Sequence, residues 1–445
     1  MRGLFGGSKT TVFIAYLFVA FSRKILLKLG RVTLSISDRL QEFNVRWEAC
    51  IRKSTLRTLE ENRRKLGEPE LTVEQRKLLW AYGEPRNLKE ALKSLSVVYS
   101  MVLLQEDVFA ITADIVDRYN ADNVVYLELR VKPCISKELS PETFLRKVIQ
   151  AIIAAKVKYP SMTVKVLVTI ELERSIENVR EAIDLVMILG RTRRSKNLPD
   201  SEVINGIEIV GDPNETDMRQ VHELLNKVRE ESELVIVFNL AQVDIHSFLT
   251  GIHDGFDHLY DLLTFRPDRL SNAEILTDFR RNRNEINHRV LIDRLLSMKL
   301  PIDFSYTANR INCSKYDDCL IWRNHLCYLS SVGHPILLST GYGELLGRSL
   351  SDEYYQLAVH MDLTPIDVFI LARTASFFTE KTPRNKRCEF FPFTEQYDAF
   401  ASEYGLNNSD EWKLQFLRHC QFFLSRPLTP RRKQRRRRII DILYQ

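Results

Sequence analysis

Histidine is the first shortage. Nine occur in 445 residues, none before His222, and no His-x-His appears anywhere. Chemistry that needs clustered imidazoles early in the chain is excluded by that distribution. The seven cysteines (Cys50, Cys134, Cys313, Cys319, Cys327, Cys388, Cys420) are odd in number and lack the two-residue spacing of metal pairs. A reduced, intracellular protein is the simpler reading. No Gly-x-Gly-x-x-Gly follows a candidate strand, so nothing marks a dinucleotide-binding open sheet. Acid is missing too: the first carboxylate is Asp38.

Within that acid-free opening, Thr10 to Phe21 is an apolar run flanked by basic residues. It is too short to span a bilayer comfortably, although its length suits a signal or anchor core. No small-x-small cleavage site follows, so residues 1–37 stay open between a targeting or membrane-anchoring segment, a tail, and an extension not used in the mature protein.

Hydrophobic residues make up 44% and charged residues 27% of the chain, which suits a globular protein with a sizeable core. The net charge of +6 is held at the ends, with +6 over residues 1–37 and +7 over 426–445, leaving about −7 between them. By charge the middle is therefore no nucleic-acid binder. The run RRKQRRRR at 431–438 fits nuclear import, contact with RNA or anionic lipid, or a solvated tail.

Between the ends, strands and helices alternate. Apolar spacing predicts helices over 88–104 and 108–119, then 141–156, 175–190, 216–230, 285–298, one from about Ser351, and one over Trp412–Leu424. Strands are expected at Phe43–Ile51, Asn123–Arg130, Val164–Ile170, Gly206–Val210, Leu234–Phe238, Asp268–Ser271, Ile302–Ser305 and Ile336–Thr340. Strands separated mostly by helices imply a parallel sheet, and eight of them suit a (β/α)8 TIM barrel. A doubly wound open sheet is the alternative. The expected organisation is an N-terminal segment at 1–37, the barrel at 38–400, a helix at 401–425 and a basic tail at 426–445. Barrels build their sites at the carboxyl ends of the strands, which directs attention to Thr340-Gly-Tyr-Gly343.

Several strand ends carry a resemblance. Val125-Tyr-Leu-Glu-Leu-Arg130, Gly206-Ile-Glu-Ile-Val-Gly-Asp-Pro213, Thr307-Ala-Asn309 and Leu338-Ser-Thr340, followed by Leu350-Ser-Asp-Glu-Tyr354, resemble the adenosine/AMP deaminase family. The nearest branch is that of the adenosine deaminase-like proteins acting on N(6)-methyl-AMP. The similarity covers roughly residues 40–390, and its ordered set of motifs is more specific than any one of them. It implies a zinc-containing (β/α)8 barrel. In such an enzyme the metal lowers the pKa of a bound water, and a glutamic acid protonates the purine ring.

The residues required by that implication are missing. In the register tried for the first strand, Glu48 and Cys50 stand where the His-x-His ligands belong. Asn239 and Gln242 stand for the third ligand and the catalytic glutamate, and Asn272 for a catalytic histidine. Gly341 and Tyr342 replace the paired carboxylates after the eighth strand, Gly341 at the last metal position. An amide is a poor zinc ligand and delivers no proton as an acid does. What survives is mostly framework: Glu128, Arg130, Gly211, Asp212, Asn309, Leu350, Glu353 and Tyr354. Gly211 matches a purine-contacting glycine of the family, or is simply a turn. Glu128 and Arg130 suggest a charge pair. His288 is expected on a helix, and His246, His253 and His258 in a polar connection whose spacing suits no metal site.

The expectation is an adenosine deaminase-like barrel that has lost catalysis and carries no cofactor of its own, zinc being that of active family members. A purine nucleotide or a protein is the expected partner, with nucleic acid or membrane left to the two ends, in the cytoplasm or the nucleus. The alternatives are an active zinc-dependent purine deaminase and a basic-tailed nucleic-acid scaffold.

Overall fold

The structure is a computed structural model. It describes residues 40–361 without 84–86, 173–174, 191–202, 213–216, 241–254, 274–285, 313–324, 327–328 and 330–333, and a few positions from 363 to 379. Residues 1–37, the helix expected at Trp412–Leu424, the basic run at 431–438, Gln242, His246 and His253 lie outside the described residues.

Eight strands form one parallel sheet in the order of the sequence: β1 (Leu40–Arg46), β2 (Val124–Val131), β3 (Thr163–Glu171), β4 (Ile204–Val210), β5 (Val235–Asn239), β6 (Arg269–Ser271), β7 (Ile302–Phe304) and β8 (Ile336–Leu338). The helices between them are α1 (Lys53–Lys65), α2 (Val73–Trp80), α3 (Leu88–Met101), α4 (Gln105–Ala121), α5 (Pro141–Lys158), α6 (Ile176–Leu189), α7 (Met218–Glu231), α8 (Gly255–Phe265), α9 (Ile286–Met298), α10 (Tyr306–Asn312) and α11 (Leu350–Met361). This is the (β/α)8 barrel that the alternation predicts. The open sheet is excluded by a closing bridge between Val45 and Gly341, in which the Arg46 N–H donates to the Gly341 carbonyl (3.0 Å) and the Gly341 N–H to that of Asn44 (2.9 Å). Among the described residues no helix is long and apolar enough to cross a membrane.

Local chemistry sets the helix starts. Ser140 accepts from the Thr143 N–H with Pro141 in the first turn, Ser175 caps α6, and Thr72 with Gln75 forms a capping box on α2. Sheet register separates two layers. On β2, Leu127, Leu129 and Val131 join the buried layer shared with the helices, while Tyr126, Glu128 and Arg130 alternate with them and face the lumen. The amino end of the lumen is filled by Phe43, Tyr126 and Leu337, against Ala375 and Phe378.

The first strand differs from expectation. It ends at Arg46, and residues 47–49 form a 3-10 turn that stays buried. Register shifts between Glu42 and Val45, setting Phe43 and Asn44 together opposite Glu128 as a bulge. The Glu42 carboxyl accepts from the Asn44 N–H (3.1 Å) and, across the barrel seam, from the Thr340 N–H (2.9 Å).

Gly206 on β4 has no room for a side chain, since a Cβ there would lie 2.1 Å from the Val235 carbonyl oxygen. Gly206→Ala is expected to lower stability by at least about 1–3 kcal/mol, the range for overpacking. Thermal melting checks this, and a melting temperature equal to that of the parent would contradict it.

Candidate functional site at the carboxyl mouth of the barrel

Beyond its apolar amino end the lumen is charged. Three guanidiniums meet three carboxylates from five strands. Arg130 lies 3.0 Å from Asp303 and 3.8 Å from Glu208; Arg46 lies 3.2 Å from Glu208; Arg269 pairs with Glu128 and stands 3.2 Å from Asp303. Arg269 also lies over the Phe43 ring, 4.9 Å from its centre. The expected Glu128–Arg130 pair is therefore corrected. Both are structural charges, but two residues apart on one strand they point side by side, and each finds its partner on another strand of the barrel.

Glu208 is the hub nearest the mouth. Its oxygens accept from Thr169 Oγ1 (2.9 Å) and Asn239 Nδ2 (3.0 Å). Burial works against its charge, but Arg46 and Arg130, helped by those two hydrogen bonds, hold the carboxyl below the usual range. Asn239 in turn accepts from Asn272 Nδ2 at 3.0 Å. Over Arg46 lies the Tyr342 ring, 5.9 Å from the guanidinium carbon, with its hydroxyl raised by burial against the pull of Arg46.

The structure thus brings Asn239, Asn272 and Tyr342 around one centre and puts Gly341 on the adjoining seam. It does not bring Cys50 there. That side chain belongs to the layer between sheet and helices, with Sγ 3.5 Å from Tyr119 Oη and the thiol pushed up to about 11 by burial. Glu48 sits in the 3-10 turn, where burial raises its carboxyl against the opposing charge of Arg46. Because β1 ends four residues before Cys50, its side chains at the mouth are Asn44 and Arg46, which the expected register missed. The signal was present: two polar residues flank Val45 at the strand's own period of two.

Gly211 follows β4 with φ at 116°, a conformation that residues with side chains rarely adopt, so the backbone alone accounts for glycine there. Asn309 lies on α10 and donates to the Ser305 carbonyl. Glu353 on α11 accepts from the Thr307 N–H (3.0 Å) and is pushed up to about 7 by burial. His288 lies on α9, and His258 on α8 rather than in a connection.

The donor set does not fit the metal that the resemblance implies. Arg46 is a permanent cation, the amides of Asn239 and Asn272 are spent on Glu208 and each other, and Glu208 is ion-paired. Among the described residues no three His, Cys, Asp or Glu side chains are grouped to hold an ion.

Comparison with known proteins agrees with the barrel fold. Residues 43–209 match the family model described as adenosine deaminase. The N6-methyl-AMP deaminase of Bos taurus is 23% identical over 308 residues, covering 68% of this chain and 80% of the relative. The crystal structure of Arabidopsis ADAL complexed with GMP superposes with a TM-score of 0.62 at 21% identity, covering 83% of this chain and 98% of the other. The same protein complexed with IMP gives 0.61 over the same shares.

Proposed function

Because the chain carries an adenosine deaminase family domain on a closed (β/α)8 barrel, we propose that it is a catalytically inactive adenosine deaminase-like protein, a purine-nucleotide-binding or regulatory barrel. One observation carries this reading: the end of β1, where the family's two ligand histidines belong, presents Asn44 and Arg46, and Arg46 is ion-paired with Glu208. A fixed guanidinium cannot act as a ligand. The remaining family positions hold two amides, a glycine and a phenol, with Gln242 outside the described residues. Gln242, the residue in line with the family's general acid, carries an amide, which does not deliver a proton as a carboxylic acid does. A nucleotide ligand is supported by the GMP and IMP complexes of a protein sharing the fold.

The test is direct. Purified full-length protein is analysed for zinc and incubated with N(6)-methyl-AMP and with adenosine. Substoichiometric zinc and no turnover are expected. One zinc per chain with turnover of either compound would overturn the proposal. Installing carboxylates alone, by Gly341→Asp and Tyr342→Asp, is expected to leave both compounds unconverted, because β1, β5 and β6 still lack their groups. Ammonia release or loss of substrate absorbance checks that result.

A further inference from the structure

The residue that ends β1 is a cation at a position where the family resemblance calls for a metal ligand. Arg46 Nη2 lies 3.2 Å from Glu208 Oε1, with only 13% of its side chain exposed. The guanidinium faces Tyr342, and Glu208, Tyr342, Glu48 and Tyr99 all favour its charge, which holds it fully protonated despite burial. The Glu208 carboxylate on β4 is therefore ion-paired with one fixed positive charge from β1. Arg130, 3.8 Å from the same Glu208 oxygen, adds a second.

We propose that Arg46 is a built-in counter-ion: its guanidinium supplies permanently the positive charge that a bound metal would bring to the mouth, and by like-charge repulsion it keeps divalent cations out. This rests on the metal-free reading above. Arg46 is then a positioning residue, holding Glu208 and Tyr342 in place. The chemistry is self-consistent, because a guanidinium is charged at every accessible pH and can neither give up its proton nor become a ligand. At close range two like charges repel far more strongly in a buried site than in water. Loss of the histidines and gain of the arginine are then one exchange, in which a dissociable cation is replaced by a covalent one.

The experiment melts the full-length protein and three variants, Arg46→Lys, Arg46→Met, and Arg46→Met with Glu208→Gln, in EDTA and in Co2+. The parent and Arg46→Lys are expected to be indifferent to Co2+. Arg46→Met, similar in bulk but uncharged, should melt about 5–10 °C lower in EDTA. Co2+ should recover part of that loss, because Glu208 is left without its nearest cation. The double variant removes both charges, so it should recover most of the melting temperature in EDTA and lose the Co2+ response. If Arg46→Met does not fold in EDTA, its refolding yield with and without Co2+ is read instead, beside the double variant.

The proposal is overturned if Arg46→Lys falls as far as Arg46→Met, if Arg46→Met gains nothing from Co2+, or if the double variant is no better than the single one. Any of these would make Arg46 a packing residue. Failure of the metal-free reading has a different signature, turnover by the unmodified protein with bound zinc, and that assay does not depend on the variants.

Discussion

Arg130→Ala is expected to cost about 3–5 kcal/mol of stability, the range for removing one partner from a buried ion pair. Arg130 is wholly buried. It pairs with Asp303, approaches Glu208, and donates to the Phe43 carbonyl through Nε (3.1 Å) and Nη2 (2.7 Å). Its loss leaves Arg269 as the remaining cation of Asp303, beside the Ser271 hydroxyl, and strips the Phe43 carbonyl in the β1 bulge of both its Arg130 donors. Lysine is not expected to rescue the fold, since one ammonium cannot reproduce a planar fork that reaches three elements at once. Urea unfolding followed by circular dichroism measures the effect, provided that the slope of free energy against denaturant is unchanged. A loss below about 1 kcal/mol would mean that the lumen charges are screened by water rather than held by one another.

Stability is expected to fall as pH rises from about 6.5 to 8, by about 2–3 kcal/mol. Burial pushes Glu42 up to about 8 and Glu353 up to about 7. Below those values each carboxyl keeps its proton in the folded chain while the unfolded chain has released it. The folded state therefore binds more protons, and stability drops with rising pH from about 4.5 until the folded group titrates. Burial has the opposite effect on His325 and His334, which are lowered to about 3 and about 4. They add stability as pH rises to about 6.5, so the two pairs offset each other between about 4.5 and 6.5. Above 6.5 only the carboxyls remain. Glu42→Gln, which resembles the protonated acid, should flatten the decline. Melting temperatures across this range decide it, and an unaltered slope in the variant would assign the decline to other groups.

Seven of the eight strands were legible to within about two residues because each is a short apolar run set between helical patterns or polar connections. The first was not. Burial runs on past Arg46 through Trp47, Ala49, Cys50 and Ile51, which are as inaccessible in the turn as Val45 is in the strand. Apolar character alone could not show where the strand stopped, so the mouth residues were displaced from Asn44 and Arg46 to Glu48 and Cys50. The lumen charges were visible as residues but not as pairs. Glu128 and Arg269 are 141 positions apart and Arg130 and Asp303 are 173, and nothing local encodes such a meeting. The amides at Asn239 and Asn272 were legible as polar residues at the ends of β5 and β6; their hydrogen bond to each other was not.

The seam between β8 and β1 has a consequence for the order of folding. The hydrogen bond from Thr340 to Glu42 joins residues 298 apart, and the Val45–Gly341 bridge is almost as distant. Every other strand pair joins near neighbours in the sequence, so β1 to β7 can assemble as a growing sheet while the chain is still being made. Until residue 341 arrives, β1 remains an open edge with unpaired donors and acceptors, able to recruit another strand. Closing so long a loop adds only slowly to the entropic cost, because that cost grows with the logarithm of length. The delay is in synthesis rather than in free energy. The last few residues to pair are therefore the ones on which escape from aggregation depends, and a chain truncated just before Thr340 should be recovered as insoluble protein.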